Sequence, residues 1–219
     1  PAARQDGSTP RVRDENNAGK TPKQFLSEAN AFIEERRAAG RGLALARAHA
    51  LLTLDEVLAI RLYTGPAYQP INGFLRQIAN LTGKHRTRLA RDVRLTYAST
   101  VRHICDGIRK LAAVATAEEL AAPLYRGVRG ELPNAFWFPD EQGMVIATDA
   151  AFMSTSVARE TPLHYMGGEK NVLWELRPGP QTDEAFHRGA DVAMLSQFAA
   201  EREVLFPPCT MLRVLRRDA

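Results

Sequence analysis

At 219 residues and 45% hydrophobic content, the chain is long enough to bury a full core. Its 29 basic and 25 acidic residues leave a formal charge of +4, far from the concentrated excess of a dedicated nucleic-acid binder, so no nucleic-acid partner is expected. No apolar run approaches the roughly 20 residues that span a bilayer, so a soluble protein with no membrane span is expected.

Residues 1–20 are polar, with almost nothing to bury, and read as a disordered tail without the apolar core of a signal peptide. The chain opens on Pro1 rather than methionine, so its localisation stays open. Order is expected over 21–219 as one domain, with a helical part at 21–115 and a sheet part at 122–217. Thr21 reads as an N-cap, Pro22 as the first helical residue, and Phe25, Ala29, Phe32 and Ile33 as a buried stripe that Gly40 ends. A second helical stretch covers Leu43–Leu52. Thr53 and Glu56 then make a capping-box pattern for a helix that Gly65 and Pro66 stop. From Lys84, the spacing of Leu89, Val93, Tyr97, Val101, Ile104, Ile108 and Leu111 predicts one long amphipathic helix, with the charges of "KHRTRLARDVR" on its solvated face.

Beyond residue 122 the period changes. "APLYRGV", "GMVIATD", "AFMSTSV", "NVLWELR", "ADVAML", "EVLF" and "MLRVLRR" are short, rich in β-formers and separated by Gly, Pro, Asp and Asn, which predicts strands. Helices followed by strands argue for an α+β class, with a helical layer docked on sheets.

The five histidines never fall at a ligand-like spacing, and Cys105 and Cys209 lie far apart, so no metal is expected and both cysteines read as ordinary thiols. Neither a P-loop nor a GxGxxG occurs. Glu201 and Glu203 stand out at a strand entrance. In an extended segment i and i+2 share a side, so both carboxylates could reach one substrate while Arg202 turns away. Paired acids suit chemistry at a sugar's anomeric carbon, although Glu-x-Glu alone is more often a solvated edge. Arg126 in an apolar strand needs an anion, which a structural salt bridge could also supply. Ser154, Thr155 and Ser156 put three hydroxyls where core packing would choose Val or Ile, unless they bond backbone.

In this order the motifs resemble the Arg-Ser-Glu class of mono-ADP-ribosyltransferases, which includes the vertebrate ecto-enzymes and the actin-modifying binary toxins. "LYTGPAYQPINGFLR", 62–76, looks like the helical segment over the NAD pocket in those toxins, and the resemblance covers roughly 52–217. It implies the ADP-ribosyltransferase fold, with the helical half docked on two packed, mainly antiparallel sheets. It also implies NAD as co-substrate and transfer of ADP-ribose to an arginine-bearing acceptor protein. Residue by residue, Glu203 takes the position of the family's invariant glutamate at the ribose, and Ser154 orients it. Arg126 holds the phosphate region, and the Gly127 backbone meets the nicotinamide amide. Tyr63, Tyr68 and Asn72 close over the dinucleotide, and Thr155 and Ser156 of the serine motif also bind it. Tyr165 stacks on nicotinamide, Glu201 orients the arginine acceptor, and Phe198 docks the acceptor protein, a residue that reads equally as core. Two departures stand out. Lys170 is the basic residue where the toxins carry a late loop arginine, and Glu131 replaces a glutamine. Three readings follow: an arginine-specific transferase, an NAD glycohydrolase using water, and a non-catalytic binding module. Retention of Ser154, Glu201 and Glu203 weighs against the third.

Overall fold

The structure, a computed structural model, describes residues 17, 19–40, 50–79, 97–167, 170–179 and 188–217. Helix α1 (Pro22–Ala38) starts where Thr21 and Gln24 form a reciprocal capping box with Pro22 in the first turn. It ends as Gly40 enters a left-handed conformation at φ 63° and donates its N–H to the Arg37 carbonyl. Its stripe buries Phe25, Ala29 and Ile33. Of the expected tail, 1–16 and 18 lie outside the described residues, while Asn17 donates to the Ser196 carbonyl at 3.1 Å.

The expected helix at 43–52 falls mostly outside the described residues, and residues 50–53 are not helical. The reason is a contact from α1: the Asn30 amide takes both the N–H and the C=O of Leu52, the groups a helix would use.

Helix α2 (Leu54–Leu62) carries the expected Thr53–Glu56 capping box. The buried Glu56 carboxylate also receives Lys110 Nζ at 2.7 and 2.8 Å. Lys110→Ala strands this carboxylate in the core and should cost on the order of 3 kcal/mol, read as a lower urea midpoint; an unchanged midpoint would show the pair to be inert. After α2 the chain makes a π-type turn at Tyr63–Ala67, with Gly65 non-helical, and resumes as α3 (Tyr68–Ala79). Gly65 and Pro66 therefore interrupt the helical path, which continues beyond them.

Helix α4 (Ala98–Ala112) buries Ile104, Ile108 and Leu111. It does not extend back through Tyr97, which is the non-helical N-cap and packs edge-on against Phe74 with ring centroids 5.9 Å apart. Leu89, Val93 and the basic run 84–94 lie outside the described residues. Thr116 caps a short α5 (Ala117–Ala121).

All seven expected strands form: β1 (Leu124–Arg129), β2 (Ile146–Asp149), β3 (Met153–Ser156), β4 (Asn171–Leu176), β5 (Ala190–Asp191), β6 (Glu203–Phe206) and β7 (Thr210–Arg213). A short α6 (Glu160–Tyr165) separates β3 from β4. Strand β5 is shorter than "ADVAML" suggests, because the Asp191 carboxylate accepts the Ala193 N–H at 2.8 Å and turns the chain. A five-stranded sheet of order β4-β1-β3-β6-β5 and a two-stranded β2-β7 sheet are antiparallel throughout. Leu205, Ala190 and Val192 pack with α1, α2 and α4, whereas Met153, Val204 and Phe206 form a separate cluster with Leu212 of the small sheet. The alternation of strand side chains thus assigns one face to the helices and the other to the second sheet. The class is α+β, as the order of helices and strands predicts.

Candidate active site

A cleft of about 490 Å³ opens where the π-type turn and α3 meet β1, β3 and β6, within the range of small-molecule sites. Arg126, Gly127, Ser154, Thr155, Ser156, Glu201, Glu203, Tyr63, Tyr68, Asn72 and Tyr165 all line it. Phe198 sits outside this lining, half-buried at the start of the turn that carries Glu201.

The sheet wall explains its own residues. β1 pairs with β4 over six positions but with β3 at one, Tyr125 with Ser156. Past that pair the Arg126 guanidinium donates to the Ser154 carbonyl at 2.8 Å. Its other nitrogen lies 3.7 Å from Asp149 Oδ2. Burial lowers the Arg126 pKa, and the Asp149 charge opposes that shift. Asp149 is itself held by Arg76, with bonds of 3.3 and 3.0 Å, so one carboxylate positions two guanidiniums.

The three hydroxyls divide. Thr155 donates to the Val204 carbonyl at 2.7 Å and Ser156 to the Glu201 carbonyl at 2.8 Å. Two of the three therefore fasten backbone of the glutamate-bearing segment. Ser154 lies one strand repeat from Ser156, on the same side as Glu203, which pairs with Ser156 across β3 and β6.

Glu201 and Glu203 do share the cleft, but not as an extended i, i+2 pair. Glu201 ends a 3-10 turn (Ala199–Glu201), Arg202 is left-handed at φ 48° and ψ 52°, and Glu203 opens β6. The exposed Arg202 turns the backbone between the acids, at a conformational cost of about 1 kcal/mol or more. The two acids thus line one cleft through a reversal of the backbone, not through the alternation of a strand. Glu203 is 7% exposed.

On the helical side, Tyr63 is buried and its phenolic oxygen accepts the Asn72 amide at 3.0 Å. Burial, with the Glu203 charge adding, pushes the Tyr63 phenol above its usual range. Asn72 Oδ1 accepts the Phe152 N–H at 3.2 Å, which pins α3 to the start of β3. These two residues therefore build the wall as well as line it, while Tyr68 is half-buried in the cleft.

The glutamate turn is clasped to the π-type turn. The Arg61 carbonyl, whose helical partner would be the non-helical Gly65, accepts Thr64 Oγ1 at 3.1 Å and Gln197 Nε2 at 2.8 Å. The Gln197 N–H donates to Thr64 Oγ1, and Arg61 donates to the Leu195 carbonyl at 2.9 Å. A Cβ at Gly65 would overlap the Gln197 amide, so glycine permits this contact.

Tyr165 closes the opposite side. Its hydroxyl donates to Glu201 Oε1 at 2.7 Å, and its carbonyl accepts Arg129 Nε at 3.0 Å. Next to it, Met166 packs so closely on Gly127 that a Cβ there would overlap its side chain.

Several lining residues were not singled out in the sequence. Arg76 follows Tyr68 and Asn72 at intervals of four, a helical stripe legible within 62–76. Arg129 lies three residues beyond Arg126 on β1, and both Arg76 and Arg129 line the cleft. Asp149 is not among the lining residues but holds Arg76 and Arg126, and nothing in the local pattern marks it. Lys170 and Glu131 pair with each other at 3.2 Å on the exposed surface, away from the cleft lining. Burial pushes the Cys105 thiol up to about 11; Cys209 is exposed, and both are free. Among the described residues no group of three or more His, Cys, Asp or Glu could hold a metal, and no helix is long and apolar enough to cross a membrane.

No family model and no curated protein sequence matches the chain. Solved structures do. Vis toxin, an ADP-ribosyltransferase from Vibrio splendidus, is 20% identical with a TM-score of 0.56, over 91% of this chain and 81% of that one. The ADP-ribosyltransferase HopU1 of Pseudomonas syringae pv. tomato DC3000 is 18% identical with a TM-score of 0.56, over 93% and 84%. The eukaryotic mono-ADP-ribosyltransferase ART2.2 is 13% identical with a TM-score of 0.52, over 90% and 73%. The chain has the ADP-ribosyltransferase fold.

Proposed function

We propose that residues 21–219 form one catalytic domain that transfers ADP-ribose from NAD to arginine side chains of acceptor proteins and releases nicotinamide. The observation that carries this reading is that Arg126, Ser154, Glu201 and Glu203, contributed by three strands and a turn, line one cleft. The cleft also fits a dinucleotide chemically: Arg76, Arg126 and Arg129 offer guanidiniums for phosphate, and Tyr63 and Tyr68 offer aromatic surface.

In this reading Glu203 faces the anomeric carbon. As the C–N glycosidic bond breaks, its electron pair leaves with nicotinamide and cationic character develops on the ribose, which the fixed Glu203 charge stabilises. Ser154 supports that carboxylate. Glu201 orients the acceptor guanidinium and takes the proton it loses as its nitrogen bonds to the ribose carbon.

Water as the acceptor is the second reading, and the contact between the Tyr165 hydroxyl and Glu201 favours it, because it already occupies one acceptor site on a carboxylate that a guanidinium would use. Incubation with labelled NAD and agmatine separates the two. A ribosylated guanidine supports transfer, free ADP-ribose alone supports hydrolysis, and no consumption of NAD defeats both.

A further inference from the structure

We propose that Tyr165 is a specificity-determining residue, which competes with the incoming guanidinium for Glu201 and so sets the partition between a guanidine acceptor and water; this rests on the transferase reading above. The contact joins two anchored partners. On one side, Arg129 Nε holds the Tyr165 carbonyl at 3.0 Å, and the His164 ring packs edge-on against the Tyr165 ring at 5.4 Å. On the other, Ser156 Oγ holds the Glu201 carbonyl at 2.8 Å, and the Glu201 N–H is bonded to the Phe198 carbonyl at 3.0 Å. The 2.7 Å bond between the Tyr165 hydroxyl and Glu201 Oε1 therefore spans two fixed walls of the cleft.

A guanidinium binds a carboxylate best as a fork that engages both oxygens. With Oε1 already accepting a phenol O–H, an acceptor must either displace that bond or share the oxygen with it. Displacement uses part of the guanidinium's binding free energy to release Tyr165, and sharing leaves the guanidinium a weaker acceptor oxygen. Water needs no fork and meets no such competition. The phenol thus lowers the affinity for guanidines relative to water at the same ribose.

Tyr165→Phe keeps the ring and removes the competing donor. At saturating NAD, the KM for agmatine should fall about 3- to 10-fold, and the ratio of ribosylated agmatine to free ADP-ribose should rise. In a Glu201→Gln background the same substitution should leave that ratio unmoved, a coupling that a merely structural tyrosine would not show. An unchanged or raised KM, or an equal response in both backgrounds, overturns the proposal while leaving the transferase reading intact. If the wild-type protein consumes no NAD, that reading fails by itself, and calorimetric titration with agmatine still decides the competition. Tighter binding to Tyr165→Phe supports it, and equal or undetectable binding overturns it.

Discussion

Glu203→Gln should abolish ADP-ribosyl transfer and NAD hydrolysis together, each falling by roughly 10³-fold, which corresponds to about 4 kcal/mol of lost transition-state stabilisation. The substitution is isosteric and removes one charge. Glu203 is 7% exposed at the first position of β6, where bulk water screens it little, and its charge is felt at the Tyr63 phenol across the cleft. A neutral amide there cannot offset cationic character on a ribose, whichever nucleophile follows. Nicotinamide release, with and without agmatine, measures both activities. Substantial residual hydrolysis in a folded variant would remove Glu203 from the role assigned to it.

The neighbouring acid should behave differently. Glu201→Gln should lower transfer to agmatine by about 10²-fold or more, the range of a positioned general base, while NAD hydrolysis retains much of its rate. The asymmetry comes from placement. Glu203 sits within the β3–β6 ladder opposite Ser156, whereas Glu201 ends the preceding turn and its carboxylate meets Tyr165 from the far side of the cleft. A side chain that serves the acceptor and not the ribose should be dispensable when the acceptor is water. Equal loss of both activities would mean that the two acids share one task.

The separation between the acids bears on what was legible beforehand. Local signals worked where the causes were local: Thr21 and Pro22 opened α1, the Thr53–Glu56 pair opened α2, and strand-length apolar runs became β1 to β7. They failed where a distant group took over the backbone. Asn30, twenty-two residues away, claimed the amide and carbonyl of Leu52, and Tyr97 became a cap against Phe74 although its place in the 3.6-residue period suited a helix interior.

The amino-acid sequence by itself determined the α+β class and the strands, because capping and periodicity are encoded within a few positions of each other, and its resemblance to a known motif order pointed to residues that line one cleft. Tertiary structure alone decided how those residues are used. Only the folded chain makes Asp149 the shared partner of Arg76 and Arg126, bonds Gln197 to the Arg61 carbonyl, and brings the Tyr165 hydroxyl to Glu201. Each of those contacts joins groups on different elements, where no spacing rule along the chain operates. The left-handed Arg202 belongs with them: the sequence suggests an extended segment there, and the reversal exists where Ser156 fastens Glu201 to one strand as Glu203 enters the next.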